Sequence, residues 1–422
     1  MAVRLTEIGA ASIVFVFAYI SLSSAPPPEP WTRHVIDDSS SGADGVRMAD
    51  VNADGIADLV TGWEQGGVTR VYIGSRGTAA GTAWRPFTVG KSPDVEDAVF
   101  FDADGDGALD VVTATEGTSR RLLIHWAPPG QRYSEEREWR TETLFADGTQ
   151  WMFSVPMDVD NRRGLDLIVG GKNERASVGW LERPAQPRTV ADWRFHRLSD
   201  AGWIMSLIVR DMNRDGRPDI LLSDRRGTLA GVRWLEHPGL ETAALTSSWR
   251  NHWIGAQGRE AMLIDAADMN GDGIAEIVVP HHPANDFRLS IFRIDAASPA
   301  QRWTEYPVSY PTIAGLPKAA AVGDIDLDGR PDIVLSSEQA RGDRRGIVWL
   351  RYRTSPFEPQ WDAFDVSGPQ GVKFDLNLLL DVDADGDLDI LNTEENDNTA
   401  GGHPGLGLVW YENPTRGTSR SR

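Results

Sequence analysis

The chain has 422 residues, 41% hydrophobic and 25% charged, the balance of a folded soluble protein rather than a disordered one. Its net charge of −20 argues against a nucleic-acid partner, which needs a basic footprint, and leaves cations, sugars or basic proteins. It contains no cysteine, which excludes disulfides, thiolate metal sites and a cysteine nucleophile.

The N-terminus reads as an export element. Arg4 supplies a positive end, and Ile8 to Ala25 is uncharged around Ile13, Val14, Phe15, Val16 and Phe17. Ser23 and Ala25 suit a cleavage site, so residues 1–25 are expected to be a signal peptide. Pro26 directly after Ala25 disfavours cleavage and keeps a membrane anchor open as the alternative, the only membrane contact expected. Pro26, Pro27, Pro28 and Pro30 make a stiff spacer over residues 26–30. Either reading places the rest outside the cytoplasm: secreted, periplasmic or on the cell surface.

From Trp31 onward the chain repeats. A motif D-x-[DN]-x-D-G-x-x-D, followed by aliphatics, starts at Asp50, Asp102, Asp158, Asp211, Asp268, Asp324 and Asp381, at spacings of 52 to 57 residues. Trp31, Trp84, Trp139, Trp193, Trp249, Trp303 and Trp361 precede the motifs by 18 to 21 residues. Each unit reads as four short strands: D from the Trp, A before the acidic loop, B after it, and C ending in sequences such as Trp180 to Pro184. Four antiparallel strands per repeat make a propeller blade. The expected fold is therefore all-β, a seven-bladed β-propeller over residues 31–414. The chain opens on a D strand and ends on a C strand at Trp410, so the N-terminal strand is expected to complete the last blade. Residues 415–422 are expected to form a disordered basic tail, and the protein to be a monomer.

These motifs resemble the FG-GAP/VCBS repeats, the propeller repeats also found in integrin α-subunits. The resemblance covers Trp31 to Pro414. It does not fix an activity, because such repeats serve adhesion, ligand binding and enzyme scaffolds alike.

Oxygen ligands at positions one, three and five of a tight loop suit calcium, with glycine at six permitting the turn. The resemblance implies that a carboxylate at position nine completes the cage. The first loop then offers Asp50, Asn52, Asp54 and Asp58; the second Asp102, Asp104, Asp106 and Asp110; the fourth Asp211, Asn213, Asp215 and Asp219. The fifth offers Asp268, Asn270, Asp272 and Glu276; the sixth Asp324, Asp326, Asp328 and Asp332; the seventh Asp381, Asp383, Asp385 and Asp389. In the third, Arg162 and Arg163 replace a ligand and the glycine beside Asp158, Asp160 and Asp166. Arg162 is expected to pair with those carboxylates and exclude calcium. About six structural Ca²⁺ ions are expected, with Mg²⁺ the lesser choice and metal-free Asp-Gly turns the plainer one.

The face opposite these loops carries a second regularity. Six residues past position nine stand Glu64, Glu116, Lys172, Arg225, His282, Glu338 and Glu395, basic or imidazole on blades three to five and acidic elsewhere. Lys318 and Lys373 lie on neighbouring loops, and Trp151 and Trp203 are expected to be exposed beside them. Charged groups beside aromatic rings suit a saccharide. The leading reading is a binding or scaffold module for a polysaccharide, glycoprotein or surface protein. The alternative is a lyase-like polysaccharide enzyme, with His282 as base, Tyr310 as proton donor and Arg225 neutralising a uronate. His34, His196 and His252 recur on strand D and read as structural.

Overall fold

The computed structural model describes residues 29–74, 84–282, 287–295, 302–395 and 405–417. The signal-peptide or anchor segment and most of the proline spacer lie outside the described residues. Among those described, no helix is long and apolar enough to cross a membrane.

Seven four-stranded antiparallel sheets follow one another along the chain as blades. Blade one comprises strands Ala43–Ala49, Asp58–Trp63, Val68–Ile73 and Arg85–Lys91, named A to D from the axis outward. Strands B are buried throughout, as in Asp110–Thr115, because each blade face is covered by a neighbour. Strands D alternate in exposure, as in Arg194–Asp200, because they form the rim.

Blade seven is assembled from both ends of the chain. Its strands A to C are Leu378–Leu380, Asp389–Glu394 and Gly407–Glu412, and Thr32–Asp37 pairs antiparallel with the last of these. The expected closure is present. It is fixed from blade one as well: the buried Asp37 carboxylate accepts from Tyr72 Oη (2.8 Å) and from Arg70 (2.6 Å). The apolar core lies between blades, not within them. Leu59 and Tyr72 of blade one, for example, pack with Leu391, Leu408 and Trp410 of blade seven.

The repeated strand-C tryptophans explain the recurring histidines. His34 stacks on Trp410 (4.2 Å between ring centres), His196 on Trp180 (4.6 Å) and His252 on Trp234 (4.3 Å). Each imidazole also bonds the glutamate two residues past its Trp: Glu412 (2.8 Å), Glu182 (3.0 Å) and Glu236 (2.7 Å). One ring face and one ring edge thereby fasten strand D to strand C. The tail departs from expectation at its start. Pro414–Gly417 is one helical turn, held by the Arg416 backbone N–H on Asp387 (2.8 Å).

Deleting residues 31–37 should leave blade seven three-stranded and cost on the order of 3 kcal/mol, from a handful of cross-strand pairs and one ring stack. Thermal unfolding checks this, and an unchanged midpoint would contradict the closure.

Candidate metal loops and the opposite polar face

All seven acidic loops share one backbone path. Position four takes positive φ in every copy, from 55° at Asn161 to 79° at Gly105. Position six does so again, at 78° to 94° on glycine in six loops and at 62° on Arg163 in the third. Two left-handed residues fold the loop so that alternate side chains share an interior, and glycine carries the second without strain.

The carboxylate at position nine does more than the ligand pattern suggests. It is buried at the first residue of strand B, and one oxygen accepts the backbone N–H of position two in every loop: Val51, Ala103, Val159, Met212, Met269, Ile325 and Val382 at 2.8 to 3.2 Å. In five blades the other oxygen accepts the N–H just past strand C: Gly74, Ala127, Arg183, His237 and Asn413 at 2.7 to 2.8 Å. One carboxylate thus joins the A–B loop to the exit of strand C. Burial, and then the neighbouring loop carboxylates, push Asp110 and Asp389 up to about 8 and Asp332 up to about 7, against the pull of the backbone N–H groups.

Some of these loops gather oxygens as a cation would require. Asp102, Asp104 and Asp110 bring one oxygen each within 4.8 Å of one another, as do Asp324, Asp326 and Asp332, and Asp381, Asp383 and Asp385. Oδ1 of Asp324 and Oδ1 of Asp381 are shielded from solvent and accept no hydrogen bond. An all-oxygen donor set with orphaned buried oxygens fits a hard divalent ion of the calcium type. In the first and fourth loops the position-three amide supplies a neutral oxygen and bonds the position-five carboxylate, Asn52 to Asp54 and Asn213 to Asp215, both 3.1 Å. The third loop corrects the expectation. Asp158, Asp160 and Asp166 converge within the same 4.8 Å. The Arg162 side chain is exposed and, among the described residues, forms no ion pair with them; Arg163 leans out to Glu182 (3.4 Å).

On the opposite face, the constant length of strand B does the placing. Each of the seven positions six residues past position nine falls at the end of a strand B or just after it. Lys172 of blade three pairs with Glu96 (2.9 Å) and Glu116 of blade two. Arg225 of blade four donates to Glu260 (2.8 Å) and to Nδ1 of His282 on blade five (3.1 Å). Nε2 of His282 lies 3.7 Å from Glu338 of blade six, which Lys318 holds at 3.1 Å while also reaching Asp375 of blade seven (3.3 Å). Lys373 pairs with Glu395, whose carboxylate comes within 4.8 Å of Asp44 and Glu64 on blade one. Arg47 to Asp97 (3.0 Å) crosses from blade one to two, and Lys172 over the Trp203 ring (4.7 Å) from three to four.

Sequence reasoning missed Asp44 and the regularity behind it. Six residues before each motif stand Asp44, Glu96, Met152, Met205, Met262, Lys318 and Asp375, an inner ring on strand A or, for Met262 and Asp375, on the segment leading into it. Glu96, Met152, Met205 and Lys318 are each the extra residue of a β-bulge in strand A. Such bulges re-aim side chains. Only the spacing marks this ring, because its chemistry changes from thioether to charge between blades. Burial and then Glu395, Glu96 and Asp375 hold the Asp44 carboxyl well above its usual range. Asp375, bonded to it, is held well below that range by Lys318 and Asp44 against the push of burial.

Two sequence-based assignments fail here. Trp151 is fully buried, packed edge-on against Phe195 (5.6 Å) between blades two and three, so it offers nothing to a ligand. Tyr310 is also unavailable as a proton donor on this face. Its hydroxyl donates to the Gly315 carbonyl (3.1 Å) and meets Ser337 (3.3 Å), and burial pushes it well above the ordinary phenol range. Arg225 and His282 do meet, and burial together with Arg225 lowers the imidazole pKa, leaving His282 uncharged at neutral pH.

Two outcomes follow. Asp110→Ala should destabilise by about 3 kcal/mol in calcium-free urea titrations, since two buried N–H groups lose their acceptor, and Asp110→Asn by less; equal stabilities would contradict the staple. Asp44 binds a proton in the fold that the unfolded chain releases, so its stabilising contribution is present below pH about 4 and is lost as pH rises. Asp44→Asn should therefore melt like the parent near pH 4 and about 2 °C higher at pH 8 in calcium-free buffer. A difference that does not grow with pH would contradict that assignment.

Comparison with known proteins supports this architecture. No curated protein matches the chain. Among solved structures, the crystal structures of BBS1N in complex with ARL6DN, soaked with mercury or with lead, are similar at a TM-score of 0.50 and 10% identity. The match covers 91% of this chain and 96% of that one for the mercury soak, and 93% and 97% for the lead soak. At that identity the likeness speaks for the fold alone. Residues 50–113 match the family model of the FG-GAP-like repeat, spanning the first and second acidic loops. This chain is a seven-bladed β-propeller that carries FG-GAP-like repeats over residues 50–113.

Proposed function

We infer that the protein is an exported calcium-binding propeller that acts as a binding or scaffold module for an extracellular polysaccharide or glycoprotein. The observation that carries the reading is the division of labour between the two faces. One face repeats an oxygen-lined loop joined to the strand framework, and the other gathers unlike charges from all blades, with the half-buried Trp203 beside those of blades three and four. Repeated identical loops suit a structural ion, whereas a rim that differs from blade to blade suits recognition. Export is supported by the uncharged run from Ile8 to Ala25. The polysaccharide-lyase reading loses its proton donor with Tyr310.

If calcium fills the loops, it would be held by positions one, three, five and nine, and its binding free energy would appear as folding stability. Each site at a hundredfold excess over its Kd adds about 2.7 kcal/mol. Chelation by EDTA should therefore lower the melting temperature by many degrees, and calcium should restore it. A melt unmoved with metal verifiably absent would end the structural-ion reading. A glycan and glycoprotein array probed with the calcium-loaded chain tests the recognition reading. Binding lost on EDTA treatment is expected, and no bound glycan or glycoprotein would overturn it.

A further inference from the structure

We propose that the sector around Trp203 is a subsite for a carboxylate-bearing sugar, with Arg226 as the residue that selects it. This rests on the saccharide-binding reading above and names the ligand class. Trp203 is held rigidly at its backbone. Its N–H donates to Asp224 Oδ1 (2.7 Å), its carbonyl accepts from the Arg225 N–H (2.7 Å), and Asp224 is fully buried against Arg233 at 3.6 Å. The indole, half-buried, therefore stands in a fixed position before any ligand arrives.

Three cations surround that ring: Lys172 at 4.7 Å, Arg225 at 4.8 Å and Arg226 at 4.6 Å from ring centres. They are not equally neutralised. Lys172 has two carboxylates, Glu96 and Glu116. Arg225 has Glu260 at 2.8 Å. Arg226 shares that same Glu260 at 3.8 Å, beyond hydrogen-bonding distance, and its side chain is 53% exposed. Two guanidinium groups thus face one carboxylate, and His282 adds no charge because Arg225 donates to its Nδ1.

The inner ring explains why the imbalance falls here. Beneath blades six, seven, one and two it supplies Lys318, Asp375, Asp44 and Glu96, which pair among themselves and with the outer ring. Beneath blades three, four and five it supplies Met152, Met205 and Met262, all buried, which offer no counter-charge. An exposed guanidinium over an indole, short of one carboxylate, offers a planar donor fork to an incoming anion. A uronic acid matches this sector: its carboxylate accepts from the fork, and the sugar lies beside the half-buried indole and its cations.

The test is calorimetric titration of the calcium-loaded full chain with a panel of uronic-acid oligosaccharides, each beside its carboxyl-reduced neutral counterpart. The expected result is that at least one uronate binds and that reduction of its carboxyl weakens binding about tenfold, the worth of one charged hydrogen-bonded contact. Arg226→Ala should produce the same loss for the uronate and none for the neutral sugar, with an unchanged melting temperature. Arg226→Lys should recover part of it. Equal binding of acid and neutral forms, or an Arg226→Ala variant that binds the uronate undiminished, would overturn the subsite. Binding of neutral sugars alone would also overturn it while leaving the saccharide reading in place. If no sugar of either kind binds, both readings fall.

Discussion

A single buried carboxylate, repeated once per blade, is what the rest of the molecule depends on. At the first residue of strand B it accepts the N–H of position two in the acidic loop, and in five blades also the N–H beyond strand C. These N–H groups belong to chain segments that leave the sheet and would otherwise be buried without acceptors. The bond fixes the loop relative to the blade, and the loop in turn positions the next. Tyr133 donates to the Val51 carbonyl (3.2 Å), His237 contacts the Val159 carbonyl (2.7 Å) and Asn413 donates to the Ile325 carbonyl (2.8 Å), each reaching to the preceding blade. A divalent ion in the loop would strengthen a frame that hydrogen bonds already define.

The opposite face follows from that frame by counting. Strand B starts at the stapled carboxylate and ends after a constant run, so the outer ring of side chains arrives at one level. Strand A bulges before the axis and delivers the inner ring beneath it. Contacts between the two rings are mostly buried ion pairs, which favour specificity of arrangement more than net stability. They tie the blades in register without an extensive apolar seal at that level. Where the inner ring turns to methionine, the outer cations find their carboxylates elsewhere than in that stretch of ring, Lys172 with Glu96 and Glu116 and Arg225 with Glu260, around one indole, and the face becomes asymmetric.

Much of this was legible in the chain. Seven in-phase copies of Asp50-type motifs and Trp31-type markers gave the blade count, and the order of strands at the two ends gave the closure through Thr32–Asp37. The structural histidines could be read because His34, His196 and His252 share a position relative to Trp. What escaped reading depended on side-chain direction. Trp151 and Trp203 occupy comparable places in strand order, yet Trp151 is buried between blades while Trp203 stays half-exposed beside Lys172, Arg225 and Arg226. Tyr310 is drawn into its own loop by the Gly315 carbonyl, a contact that no spacing encodes. Arg162 was expected to enter the third loop because its charge suits the position, but its side chain lies in solvent on the same backbone path that the other loops follow. Asp44 escaped notice because its counterparts run from Glu96 and Asp375 through three methionines to Lys318, so residue type hid a regular spacing.

The most direct test of this account is amide hydrogen exchange in calcium-free protein at the seven N–H groups of position two, from Val51 to Val382. If the strand-B carboxylates hold the loops, all seven should exchange with protection comparable to the neighbouring strand B amides. Exchange at the rate of exposed loop amides, with strand B still protected, would show that the loops are not fastened to the blades in this way.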